Sequence, residues 1–99
     1  MVKKLSVEYT MLAILEYMCL YTKDTPVTKY HLINHVKGLS AQRSDRITNI
    51  INILESNGYV RSIKTSTTTF YQVTEEGIKV YYKWVRDFLE FFRNVHNLE

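Results

Sequence analysis

The sequence predicts a mainly α-helical domain with one small β-hairpin, an α+β fold. Two kinds of segment indicate it: long runs with apolar residues at helical spacing, and one pair of short runs rich in β-branched and aromatic residues. The chain has 99 residues, of which 45% are hydrophobic, enough for one core. We therefore expect residues 1–99 to form a single domain.

The first two helices are marked by capping residues. Ser6 can cap a first helix over residues 6–22, whose apolar residues cover most of its circumference, as in a helix buried on several sides. Pro26 then favours a turn or a short strand. Thr28 can cap a second helix over residues 28–37, and Gly38 follows as a stop signal.

A third helix follows after a very short turn. Ser40 is a suitable N-cap for a helix over residues 40–57, and Gly58 supplies the stop. Its inward side is predicted from the helical spacing of Ile47, Ile50, Ile51 and Leu54. Two helices joined so closely are typical of a helix-turn-helix.

The remaining residues predict a hairpin and a long helix. Residues 59–73 form the hairpin, with a threonine-rich loop, and a last helix over residues 74–97 opens at Thr74. It would be about 34 Å long, more than so small a domain needs. Its apolar residues recur at intervals of 3 and 4, a heptad seam made of Ile78, Tyr81, Val85, Phe88, Phe92 and Val95.

Basic residues are concentrated in the middle of the chain. The whole chain has a formal net charge of +3, and the flanking segments 1–24 and 74–99 are nearly neutral. Only Asp45 and Glu55 oppose the basic residues of the middle, which are Lys29, Lys37, Arg43, Arg46, Arg61 and Lys64. Such a distribution is expected of a protein that binds the phosphate backbone of nucleic acid.

Two segments carry a resemblance to a known family. Residues 39–61, from Leu39-Ser40 to Tyr59-Val60-Arg61, are similar to the recognition helix and strand entry of MarR-like and PadR-like winged helix-turn-helix regulators. Residues 71–77 resemble the return strand of their wing and the start of the next helix. The plan is shared by small archaeal and archaeal-virus proteins with a dimerising C-terminal helix. The ligand pocket of full-length MarR proteins is not implied, since their flanking helices are missing.

The resemblance makes the third helix the one that enters the major groove. If its isoleucines face the core, four side chains lie on the exposed side: Gln42, Arg43, Arg46 and Asn49. Arginine pairs with guanine, and glutamine or asparagine with adenine. Asp45 would repel phosphate unless it accepts from a cytosine or pairs with an arginine. The alternative is a merely solvated helix face.

Contacts with the DNA backbone are expected from hydroxyls, cations and helix N-termini. In the helices the candidates are Thr28, Lys29, Ser40 and Ser44, and in the wing they are Arg61, Lys64, Thr65, Ser66 and Thr67. The alternative for the wing is a polar hairpin without a role in binding.

The last helix is expected to form a homodimer with a second copy. The predicted interface residues are Leu12, Ile78, Tyr81, Tyr82, Val85, Phe88, Leu89, Phe92 and Val95. A two-fold dimer would bind a pseudo-palindromic site with half-sites about one helical turn apart. The alternative is that this stripe completes the core of its own domain.

Other classes of protein find little support in the sequence. His31 and His35 have a spacing that can hold a metal, but Cys19 is the single thiol, so we expect neither a metal site nor a cofactor. The sequence has no glycine-rich phosphate loop, nucleophile elbow or paired carboxylates, so an enzyme is not expected. With no signal peptide and no apolar span, a cytoplasmic, nucleoid-associated location is expected.

These observations lead to one functional hypothesis and two alternatives. The hypothesis is a dimeric, sequence-specific regulator of transcription that binds double-stranded DNA, most simply a repressor. The first alternative is a chromatin-type protein that coats DNA with weak sequence preference. The second is a winged-helix module that binds other proteins.

Overall fold

The structure, a computed structural model, describes residues 6–96, which form four helices and three strands. In chain order they are α1 (Val7–Tyr21), β1 (Val27–Thr28), α2 (Lys29–His35), α3 (Ser44–Ser56), β2 (Val60–Lys64), β3 (Thr69–Val73) and α4 (Glu75–His96). Asn97, the predicted end of the last helix, lies outside the described residues. The element order and the α+β class agree with the prediction. None of the described helices combines the length and apolar character that a membrane crossing requires.

The predicted caps Ser6 and Thr28 are present, and Thr74, the predicted first residue of the last helix, also acts as a cap. The Ser6 hydroxyl accepts a hydrogen bond from the Tyr9 amide at 3.1 Å, and the Thr28 hydroxyl accepts one from the His31 amide at 3.0 Å. The Thr74 hydroxyl accepts from the Gly77 amide at 3.1 Å at the start of α4. Each cap satisfies a backbone donor that the helix itself leaves unpaired.

The core lies between α1, α3 and the sheet. Ile14 and Met18 of α1 are fully buried, and the predicted inward residues of α3, from Ile47 to Leu54, are at most 3% exposed. Cys19 is also buried, and loss of solvent raises the pKa of its thiol to about 11, against the smaller opposite effect of Lys23. This packing fixes which side of α3 faces outward.

The hairpin is extended by β1 to a small antiparallel sheet of order β1-β3-β2. Val27 of β1 pairs with Tyr71 of β3, so the segment after Pro26 is a short strand. The loop between β2 and β3 has no glycine and is closed by Thr65, whose hydroxyl donates to the Thr68 carbonyl at 3.0 Å. The same oxygen accepts from the amides of Thr67 and Thr68, which replaces the usual turn residues.

The start of α3 corrects one prediction. Residues 37–43 form the turn of the helix-turn-helix, and α3 begins at Ser44 with Arg43 as its N-cap, so Ser40 does not cap it. The reason is Leu39, whose side chain is completely buried in the core. Gly38 allows this inward turn because it adopts a positive φ of 90°. The apolar residue in the turn therefore delays the helix by about one turn.

The two halves of α4 have different surroundings. The first half packs against α1, and the Tyr81 hydroxyl donates to Glu16 at 3.0 Å. Burial is the main reason that the pKa of Tyr81 rises to about 12, and the bond to Glu16 adds to it. Tyr81 is only 5% exposed, so its prediction as an interface residue is wrong: it belongs to the core of its own chain. The second half extends beyond α1 with its aromatic side chains about half exposed.

Gly77 is required by a close approach within the chain. A Cβ at this position would overlap the Tyr59 carbonyl oxygen and lie 2.8 Å from the Val73 side chain. We predict that Gly77→Ala lowers the free energy of unfolding by about 1–3 kcal/mol, although alanine favours a helix. Chemical denaturation measures this change. Lys79→Ala, on the exposed side of the same helix, is the control and should change stability by less than about 0.5 kcal/mol. Equal stability of Gly77→Ala and the native chain would contradict the contact.

Candidate nucleic-acid interface

A polar stripe runs along the outward face of α3, with the exposed Ile53 beside it. Asp45, Asn49, Asn52 and Ser56 are exposed and follow one another at intervals of 4, 3 and 4 residues. Residues at these intervals share one side of a helix. That side lies opposite the buried isoleucines. An exposed polar helix of this kind fits the major groove of duplex DNA.

Arg43 stands at the beginning of this face, as predicted. Its guanidinium lies 3.0 Å from the Asp45 carboxylate, with side chains 76% and 65% exposed. An ion pair this exposed contributes at most about 1 kcal/mol, so Arg43 can exchange it for a base or phosphate at little cost. Of the two alternatives expected for Asp45, a cytosine or an arginine, the structure shows a pair with an arginine. The other carboxylate oxygen accepts from the Arg46 amide at 2.9 Å.

Gln42 does not belong to the exposed face, and its prediction as a base reader is wrong. It is 8% exposed, and its amide nitrogen donates to the hydroxyl of Thr10 in α1 at 3.1 Å and to the Gly38 carbonyl at 3.4 Å. The physical reason is the late start of α3, which leaves Gln42 in the turn and directs its side chain inward. Its role is to join the turn to α1.

Arg46 and Asn49 differ in how far they reach outward. The Arg46 guanidinium donates through Nε to the Gln42 side-chain oxygen at 2.8 Å, and the residue is half-buried on the flank of α3. Asn49 is exposed at the centre of the face, as predicted. Asn52 occupies the same face one turn later and was not among the predicted residues, although the helical spacing indicates it.

A lysine connects α2 with the beginning of α3. The Lys29 ammonium donates to the hydroxyls of Ser44 at 2.8 Å and Thr48 at 3.0 Å. The structure thus brings together two predicted backbone contacts, Lys29 and Ser44, and adds Thr48. An ammonium has three donors, so one is left for a phosphate oxygen.

Two other residues predicted to contact the DNA backbone, Thr28 and Ser40, have surroundings different from those of Lys29 and Ser44. Thr28 is half-buried, and its hydroxyl oxygen caps α2. Ser40 is exposed within the turn, away from the first residue of α3. Ser40 is therefore not at a helix N-terminus, and the prediction that placed it there is wrong.

The predicted DNA-contacting residues of the wing, the hairpin of β2 and β3, differ in how available their side chains are. Lys64, Ser66 and Thr67 are exposed at its tip, whereas the Thr65 hydroxyl is used to close the loop. Arg61 donates to the Gln72 side chain at 2.7 Å. Its neighbour Ser62 donates to Glu55 of α3 at 2.6 Å, and successive strand residues point to opposite faces. Arg61 therefore faces away from α3, and the structure does not bring the two together.

The two histidines form an aromatic cluster at the contact of α1 with α2. Their rings stack at 4.1 Å, and His31 Nε2 is hydrogen-bonded to the Tyr17 hydroxyl at 2.8 Å. Burial, and then the neighbouring His35, lower the pKa of His31. No group of three or more potential metal-ligating side chains (His, Cys, Asp or Glu) occurs within residues 6–96.

Comparison with known proteins supports the fold at low sequence identity. No protein-family model matches the chain, and no curated protein sequence matches it. Among solved structures, a transcriptional regulator from Clostridium thermocellum aligns with a TM-score of 0.66 and 22% identity, covering 91% of this chain and 88% of that one. An ArsR-like transcriptional regulator from Rhodococcus sp. RHA1 aligns with a TM-score of 0.48 and 14% identity, covering 94% and 93%. The fold is a winged helix with a long C-terminal helix.

The buried position of Gln42 predicts a stability effect. Gln42→Ala leaves the buried Thr10 hydroxyl without its partner and should lower the free energy of unfolding by about 1–3 kcal/mol. Thermal or chemical denaturation measures the change, and Asn49→Ala serves as the matched control with little expected effect. Unchanged stability together with altered DNA sequence preference would support the original assignment of Gln42 as a base reader.

Proposed function

We propose that this chain is a dimeric regulator of transcription that binds double-stranded DNA sequence-specifically, acting as a repressor by occluding a promoter. The observation that carries the proposal is the exposed polar face of α3, with Arg43 at its start and Lys29 beside its first turn. Cytoplasmic, nucleoid-associated action is part of the same proposal. The narrower assignment to MarR-like or PadR-like proteins of archaea or their viruses comes from the two sequence segments alone.

The charge distribution supports contact with phosphates. The ammonium of Lys29, which belongs to α2, lies beside the first turn of α3, and Lys64 is exposed at the wing tip. Phosphate contacts give affinity, while the α3 face reads bases. The solved structure from Clostridium thermocellum, which is described as a transcriptional regulator, agrees with this use of the fold.

Removing Arg43 tests the proposal. We predict that Arg43→Ala weakens binding to a selected duplex by about 1–3 kcal/mol and weakens binding to random duplex DNA much less. Fluorescence anisotropy at several salt concentrations measures both affinities. Arg86→Ala, which removes the same charge from the exposed polar side of α4, is the control and should leave the preference unchanged.

The outcomes separate the three hypotheses. Equal weakening on all sequences would favour a protein that coats DNA. Failure of the native chain to bind any duplex at low salt would favour a protein-interaction module and contradict the proposal.

Dimer formation is proposed from the second half of α4. Phe88, Leu89, Phe92 and Val95 are each about half exposed within one chain. Contiguous apolar surface of this extent is typical of an interface rather than of a monomer surface. Ile78 and Val85 pack partly against the chain's own core, so they would contribute only their outer atoms.

The width of the apolar stripe indicates two neighbours in the partner subunit. Positions beside the heptad seam are commonly charged in a two-stranded coiled coil. Here they are apolar on both sides, with Tyr82 and Leu89 on one side and Trp84 and Phe91 on the other. A single partner helix covers the seam but not both flanks.

The second neighbour is proposed to be α1 of the partner. Tyr9 and Leu20 of α1 are 62% and 50% exposed, and Leu12 is half-buried. An apolar groove of about 430 Å³ runs between α1 and α4, lined by Tyr9, Leu12 and Trp84 among others. In a two-fold dimer, the partner's α4 would lie beside this groove, and α4 of this chain would lie in the same way between α4 and α1 of the partner. Both flanks of the stripe would then be covered. A two-fold dimer presents two α3 helices to a pseudo-palindromic site.

Charge placed in the stripe tests the dimer. We predict that Phe92→Glu converts the dimer to a monomer at micromolar concentration and weakens binding to the two-fold site, because a buried carboxylate lacks a partner there. Sedimentation velocity measures the mass. Glu90→Lys, on the polar side of α4, is the control and should stay dimeric. A monomeric native chain would refute the interface.

A further inference from the structure

We propose that Asn49 and Asn52 are the base-reading pair of α3, and that the centre of each half-site consists of adjacent A·T pairs whose adenines they contact. This inference rests on the proposed function and specifies its target. Asn52 was not among the residues predicted from the sequence.

The two amides occupy the centre of the exposed face. Both residues are exposed, and within residues 6–96 neither side-chain amide makes a hydrogen bond. Each amide therefore keeps a donor and an acceptor for the N7 and N6 atoms of adenine in the major groove. Formation of these bonds costs no existing contact within this part of the protein.

Their spacing matches successive base pairs. Residues three apart on a helix are separated by about 4.5 Å along its axis. Base pairs are stacked about 3.4 Å apart. Two asparagine side chains can therefore reach neighbouring bases from one helix face.

The guanidinium groups lie away from this centre. Arg43 precedes the first turn and pairs with Asp45, while Arg46 is held on the flank by its bond to the Gln42 side chain. Guanine is read mainly by arginine and adenine by asparagine. Guanine contacts are therefore assigned to the edge of the half-site and adenine contacts to its centre.

The experiment uses the full chain and modified duplexes. Selection from random duplex DNA first gives the preferred site. Each adenine of one half-site is then replaced by 7-deaza-adenine, which keeps base pairing but removes the N7 acceptor. We expect affinity to fall about fivefold or more at two adjacent adenines and to change little elsewhere.

Variants assign each adenine to a side chain. In the Asn49→Ala variant, 7-deaza-adenine should no longer lower the affinity at one of the two adenines, but it should still do so at the other. The Asn52→Ala variant should show the same effect with the two adenines exchanged. Asn57→Ala is the matched control, since its amide donates to the Ile53 carbonyl at 2.8 Å at the end of α3. It should retain both losses.

The results distinguish this inference from the proposed function. If no duplex is selected, the regulator hypothesis itself fails. If a site is selected but its centre is G·C, or if the Asn variants keep both 7-deaza effects, DNA binding stands and the asparagine assignment is overturned.

Discussion

The orientation of α3 depends on one buried amide. Gln42 connects the helix-turn-helix turn to Thr10 of α1 and accepts a hydrogen bond from Arg46 of α3. Together with the buried side chain of Leu39, this fixes where α3 begins and which of its faces is free. A side chain that resembles a base reader in the sequence thus acts inside the protein, and the outer face is left to Arg43 and the two asparagines.

Two separate surfaces are proposed to bind different partners. The polar face of α3 binds DNA, and the apolar part of α4 binds a second copy of the chain. The proposed phosphate contacts, Lys29 and Lys64, accompany a helix that carries little net charge of its own, because Asp45 offsets Arg43. In the proposed function, affinity for DNA and sequence preference therefore depend on different side chains. The proposed interface is formed by α4 and α1, outside the turn between α2 and α3, so assembly need not disturb the outward face of α3.

Sequence periodicity predicted the elements well, because caps and apolar spacing are local signals. The caps Ser6 and Thr28, the start of the last helix at Thr74 and the inward residues of α3 were found in this way. The start of α3 was missed because Ser40 is a good cap locally, whereas burial of Leu39 is a tertiary effect. For the same reason the sequence did not separate Tyr81, which packs on α1, from the exposed residues of the same seam, nor did it show that Arg61 and Arg46 are turned away from the centre of the site.

The burial of Cys19 has a consequence for chemical modification. Thiol reagents attack the thiolate, and a pKa of about 11 leaves very little of that form at neutral pH. The sulfur is also covered by the packing around α1. Reaction therefore requires a transient opening of the helices around it, so the labelling rate of this single cysteine reports how often the core opens.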